Sequence, residues 1–229
     1  MRTAIVTGAS GNMGQAVVKK FLKEGFLVIG TIVPNDPAPL EITDPNFQKE
    51  IVDLMAEEST AAFVDSVIEK NTTVDVLVAT VGGFASGNIA KTSTADILMQ
   101  YKLNFETAYN TARPVFIQMM TQKSGRIFLI GSKPGLDAKS ADGMVAYSLG
   151  KSLIFRLAEL MNIEAKGMDV VTAVLVPSTI DTPQNRTSMP GSNFDTWVKT
   201  ESIADTIYFY CTKEAGSIRE PIIKLYNNS

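Results

Sequence analysis

Strand-like runs and helical stretches take turns along almost the whole chain, and that alternation leaves few folds open. TAIVT (3–7), FLVIGTIV (26–33), VDVLVAT (74–80), RIFLIG (126–131), DVVTAVLV (169–176) and PIIKLY (221–226) are near-continuous apolar runs rich in β-branched residues. That is the pattern of parallel strands covered on both faces. FQKEIVD (47–53) adds a weaker seventh. Helical spacing fills the intervals at about 13–24, 57–70, 95–122, 142–165 and 201–213. In the first interval Val17, Val18, Phe21 and Leu22 form one apolar stripe, and Gly25 suits the helix end. Repeated βα units with right-handed crossovers give an α/β fold, a doubly wound, mostly parallel sheet of seven strands with helices on both faces. VPNDPAPLEITDPN (33–46) carries four prolines but is read as a surface loop, so the 229 residues form a single domain, 1–229.

Composition narrows the function. The net charge of −3 and the absence of any Lys/Arg block predict no nucleic-acid partner. There is no histidine, and Cys211 is the single cysteine, so neither an internal disulfide nor a zinc site is expected and no metal is assigned. No apolar stretch approaches the ~18 residues of a membrane span. The N-terminus runs straight into a strand without a signal-peptide pattern, so the expectation is a cytoplasmic protein.

The first strand is followed by TGASGNMGQAVV, with Gly8, Gly11 and Gly14 spaced three apart and leading into a helix. Bare glycines there let backbone N–H groups and a helix N-terminus approach a pyrophosphate, which makes this a Rossmann-type dinucleotide loop. Here the chain resembles the short-chain dehydrogenase/reductase family. Its TGxxxGxG signature is met except that Asn12 stands where the middle glycine falls. The TGxxGxxG spacing found instead is typical of longer family members with an extra C-terminal substrate domain. This chain has no room for that domain, which disfavours an epimerase or dehydratase.

GMVAYSLGKSL (143–153) puts Tyr147 and Lys151 one helical turn apart on one face. The spacing alone is a weak signal. A phenol titrates near 10, and a cation within ~4–6 Å lowers it by about 1–3 units, enough for proton transfer without histidine. The resemblance implies that Tyr147 donates the proton, and that Lys151 lowers its pKa and holds the nicotinamide ribose. It also implies that Ser132, closing GRIFLIGS, polarises the acceptor, and that Asn104 of YKLNFETAYNT orders a water feeding Lys151.

The same resemblance places the cofactor against Gly8, Ser10, Gly11, Asn12, Met13 and Gly14. It adds Ile32 at the end of the second strand and Asp53 and Leu54 after the third. Ala79, Thr80, Val81 and Gly82 of LVATVGG stand in for LVNNAG. Pro177, Thr179, Ile180 and Thr182 come from VPSTIDT, where Ser178 replaces a glycine, and Tyr147 and Lys151 complete the set. Ile32 occupies the usual place of the acid that holds a ribose 2′-hydroxyl in NAD enzymes. Asp36 either reaches that place from the loop or is a solvated turn residue. The lack of nearby Lys or Arg favours NAD(H) over NADP(H).

TVGGFASGNIAKTS (80–93), GSKPGLDAKSADGMVAYSLGK (131–151) and STIDTPQNRTSMPGSNFDTW (178–197) look like the corresponding segments of the family's dihydropteridine reductases. That likeness implies hydride transfer to a small C=O or C=N acceptor, including a quinonoid dihydropterin. Ser132 and Asn104 suit a carbonyl or quinone equally well, so a carbonyl reductase unrelated to pterins stays open, as does a non-catalytic dinucleotide-binding redox sensor. Residues 184–200, with Met189, Phe194 and Trp197, are expected to form a substrate lid. The helices near 95–122 and 142–165 are apolar on more than one side, and family members pair them between subunits. A homodimer or homotetramer is therefore expected.

Overall fold

The computed structural model describes residues 1–40 and 42–228, so residue 41 of the 33–46 loop lies outside it. The strands are β1 Thr3–Thr7, β2 Leu27–Ile32, β3 Phe47–Ile51, β4 Val76–Ala79, β5 Ser124–Ile130, β6 Asp169–Pro177, β7 Ile180–Asp181, β8 Val198–Lys199 and β9 Ile222–Leu225. The helices are α1 Asn12–Lys23, α2 Glu57–Asn71, α3 Thr94–Tyr101, α4 Thr107–Gln122, α5 Lys133–Leu136, α6 Val145–Glu164, α7 Pro183–Ser188 and α8 Thr200–Phe209.

Seven parallel strands form one sheet in the order β3-β2-β1-β4-β5-β6-β9. Period-two alternation divides its side chains between two cores. Ile5, Leu77, Ile127, Leu129 and Val174 point into the layer under α2, α4 and α6. Val6, Val78, Phe128 and Leu175 point into the layer under α1 and α8. Chain direction across the sheet reverses between β1 and β4, and open α/β sheets bind ligands at such a reversal, beyond the strand C-termini.

The helix expected over 95–122 is interrupted. α3 starts with a capping box in which Ser93 and Asp96 exchange hydrogen bonds. A π-helical turn, Lys102–Glu106, then intervenes before α4 resumes. Two further departures matter for function. α5 and a short 3₁₀ turn, Ala138–Ser140, occupy the stretch between β5 and α6. β7 and β8, absent from the sequence reading, pair Ile180 with Val198 and Asp181 with Lys199. α8 ends at Phe209, short of the expected 213, and a 3₁₀ turn at Lys213–Ala215 follows.

Candidate active site

A cleft of about 430 Å³ opens where β1 and β4 part. Gly8 takes φ +61, a conformation glycine adopts without strain. A Cβ on Gly14 would sit 2.1 Å from the Gly8 carbonyl oxygen, so the helix packs on the loop only with a bare glycine. α1 begins at Gly11 with no side-chain cap and no acid in its first turn. Its free N–H groups and positive dipole end therefore suit an anion such as a pyrophosphate. The Thr80 hydroxyl donates to Thr7 O at 2.6 Å and the Thr7 hydroxyl accepts from Thr80 N at 3.1 Å. These bonds fix the two strand ends that frame the cleft.

At the far wall Asp36 settles a choice the sequence left open. Its carboxylate accepts from the Ser10 hydroxyl and, at 2.9 Å, from Ala38 N, and it lines the cleft beside Ile32. The Ser10 bond, then the Ala38 bond, hold it below the ordinary carboxylate range. Among the described residues that line the cleft there is no Lys or Arg.

Ser132, Tyr147 and Lys151 gather beyond the cleft, at the tip of β5. Ser132 is 5% exposed, caps α5 through Gly135 N at 3.1 Å, and its hydroxyl acts on the Tyr147 phenol. The stretch between Ser132 and Tyr147 folds into α5 and the 3₁₀ turn, so the two residues stay close. Burial raises the Tyr147 phenol and the Ser132 hydroxyl partly offsets the rise. The lowering expected from Lys151 is not among these influences. Lys151 instead donates to Ile130 O at 2.8 Å, and burial pushes its ammonium down to about 8. Phe84, largely exposed, meets the Tyr147 ring edge to face at 5.2 Å.

Asn104 lies in the π-turn and is 1% exposed. It accepts from Gly83 N at 3.1 Å and donates to Gly83 O at 2.9 Å and to Gln100 Oε1 at 2.8 Å. The inserted residue of a π-turn re-aims side chains, which is why such turns gather at functional sites. A Cβ on Gly82 would meet Asn104 Oδ1 at 2.7 Å and Lys151 Nζ at 3.1 Å, so both polar groups flank one bare glycine at the end of the cleft.

The sequence matches the short chain dehydrogenase family model over residues 2–192. The chain belongs to the short-chain dehydrogenase family. It is similar to the acetoacetyl-CoA reductase of Acinetobacter sp. (strain RA3849), at 29% identity over 80% of this chain and 75% of that protein. It is also similar to the dihydropteridine reductase of Dictyostelium discoideum, at 26% identity over 92% and 88%. Among solved structures, an oxidoreductase of the short-chain dehydrogenase/reductase family from Burkholderia thailandensis superposes with a TM-score of 0.84 at 26% identity, covering 98% of this chain and 90% of that one.

As a short-chain dehydrogenase the chain is an NAD(P)-dependent oxidoreductase, and most of the residues singled out in the sequence for the cofactor lie along one cleft. Gly8, Ser10, Gly11, Asn12, Met13, Gly14, Ile32, Asp53, Leu54, Thr80, Val81, Gly82, Ile180 and Thr182 line the cleft. Ala79, buried at the end of β4, Pro177, which closes β6, and Thr179 are not among the lining residues. Thr31, Val33, Val52, Met55, Leu103 and Thr107 complete the wall. Sequence reasoning missed them because an apolar wall residue looks like any core residue.

The lid needs correction. Trp197 is 4% exposed and its carbonyl accepts from Asn227 Nδ2 at 3.1 Å. It anchors a fixed base together with the β7–β8 pair. Phe194, half-buried, packs on it at 4.8 Å under the Arg186 guanidinium. Only the stretch around α7 and Met189 is exposed in the way a lid requires. Among the described residues no group of His, Cys, Asp and Glu could hold a metal ion, and no helix is long and apolar enough to cross a membrane.

Proposed function

We propose that this short-chain dehydrogenase reduces a small C=O or C=N acceptor in the cytoplasm with Tyr147 as proton donor. The observation that carries the reading is the gathering of buried Ser132, Tyr147 and buried Lys151 at the tip of β5, beside the glycine-lined cleft. The Gly8–Gly14 loop, Asp53 and Thr182 would hold the dinucleotide, which would supply the hydride. Ser132 polarises the acceptor and keeps the Tyr147 hydroxyl directed at it. Tyr147 gives up its proton to the developing anion. Lys151, brought down to about 8 by burial, would hold the nicotinamide ribose beside Tyr147. Asn104 fixes the Gly82–Gly83 loop at the end of the cleft, and its Oδ1 lies close enough to Gly82 to carry a proton-relaying water toward Lys151. Asp36, with no cation opposite it, favours NADH over NADPH.

The likeness to a dihydropteridine reductase over 92% of the chain supports a quinonoid dihydropterin as acceptor. A second reading, a carbonyl reductase, is favoured by the Ser132–Tyr147 pair, which suits polarisation of a carbonyl oxygen, and by the acetoacetyl-CoA reductase relative. On either reading the exposed stripe Leu149, Leu153, Leu160 and Ile163 of α6, with Ile117 of α4, pairs subunits into a homodimer or homotetramer.

NADH oxidation with quinonoid dihydropterin beside a panel of ketones and quinones, wild type against Tyr147→Phe, tests the reading. Loss of turnover by about 10²–10⁴ in the variant is expected. Tight cofactor binding with no turnover on any acceptor would mean a redox sensor instead.

A further inference from the structure

α7 is tied down at its start and open along its flank. Thr182, which lines the cofactor cleft, caps it by accepting from Asn185 N at 3.2 Å. Asp181, paired with Lys199 across β7 and β8, takes a two-pronged grip from Arg186 at 2.6 and 2.9 Å and a bond from Lys199 at 3.1 Å. Beyond the helix Met189 to Ser192 are exposed. On the side away from the cofactor cleft lies a second groove of about 540 Å³, lined by Asn12, Lys19, Asp181, Arg186 and Lys199. α7 thus has a fixed base and room to swing outward.

One side-chain contact spans the gap. Asn12 Nδ2 donates to Gln184 Oε1 at 2.8 Å, joining the phosphate loop to the second residue of α7. Asn12 lines both the cofactor cleft and the outer groove, so the bond is anchored where the two meet. It is also the side chain that departs from the glycine of the commoner signature, and a glycine there has nothing to reach with.

The geometry points to Asn12 and Gln184 as positioning residues that latch α7 over the dinucleotide and slow its release. The inference rests on the dinucleotide reading above. With the bond made, α7 keeps its cap residue Thr182 against the cleft. With it broken, α7 is held only by its base and the ligand leaves through the opening toward the outer groove. Neither residue does chemistry.

The test is NADH release from the full chain, followed by stopped-flow fluorescence. Asn12→Ala and Gln184→Ala should each release NADH about three- to tenfold faster, the range of one net hydrogen bond. The double variant should be no faster than the quicker single, because both break one bond. Exchanging the pair, Asn12→Gln with Gln184→Asn, keeps the combined reach and should restore slow release. Both side chains are at the surface, so thermal melts should be unchanged. Off-rates that do not move, single effects that multiply in the double variant, or an exchanged pair as fast as the singles each overturn the latch. Failure of the unaltered chain to bind NADH or NADPH overturns the dinucleotide reading and the latch together.

Discussion

Lys151 donates a 2.8 Å hydrogen bond to the carbonyl of Ile130, the last residue of β5 and two positions before Ser132. The buried cation is therefore tied to the tip of β5, the element that also presents the hydroxyl partner of Tyr147. The arrangement costs stability, and the cost has a measurable pH signature.

Burial pushes the Lys151 ammonium down to about 8 from its ordinary value near 10.5. Between those values the unfolded chain binds more protons, so this residue's contribution to stability rises with pH through that window and its penalty is complete below it. Relative to Lys151→Met, the wild type should gain roughly 2–3 kcal/mol between pH 7 and pH 10 in urea unfolding. A difference that stays flat with pH would mean that the ammonium is not desolvated.

The Ser132 hydroxyl pulls the Tyr147 phenol down against burial. Removing it in Ser132→Ala should raise the phenol further, moving the alkaline fall of the reduction rate to higher pH. The same change should cut kcat about a hundredfold by removing a donor from the acceptor oxygen. A pH–rate profile of kcat/KM for both proteins reads the shift.

Gly82→Ala places a methyl against Asn104 Oδ1 and Lys151 Nζ at once. The expected outcome is a joint loss, with weaker NADH binding and a turnover drop that exceeds it, because the loop end of the cleft and the lysine move together. Asn104→Ala should orphan Gly83 N–H and lower stability by about 1–3 kcal/mol. Equilibrium titration with NADH and chemical denaturation separate the two effects.

Asp36 faces the cleft with its carboxylate fixed by Ser10. Asp36→Ser should shift the NADPH-to-NADH affinity ratio toward NADPH by about tenfold, the value of one screened charge contact. Fluorescence titration with each dinucleotide measures it, and an unchanged ratio would place the 2′ position elsewhere.

Leu153 and Ile163 lie on the exposed apolar stripe of α6, Ile163 being 66% exposed. Light scattering at micromolar concentration should show a dimer or tetramer, and Leu153→Asp with Ile163→Lys should shift it to monomer. A monomeric wild type rules out pairing through this face.

The sequence by itself determined the sheet, the glycine loop and the Tyr147–Lys151 pair, because each rests on local rules: period-two and period-3.6 burial, bare glycines in a tight turn, and i to i+4 adjacency on a helix. Only the tertiary structure decided the rest. Whether Asp36 met the cleft depended on where a proline-rich loop folded back, and the answer was a hydroxyl 26 positions away. Trp197 read as a lid residue because an aromatic among Ser, Asn and Pro has no local signal of burial. Asn227, 30 positions on, and a strand pair of two residues each made it a foundation. Asn104 could be matched to a site but not aimed, since a π-turn leaves no mark in apolar periodicity and its partners at Gly83 come from another loop. Long-range contacts set these positions, and a chain read in order carries no record of which distant residues will meet.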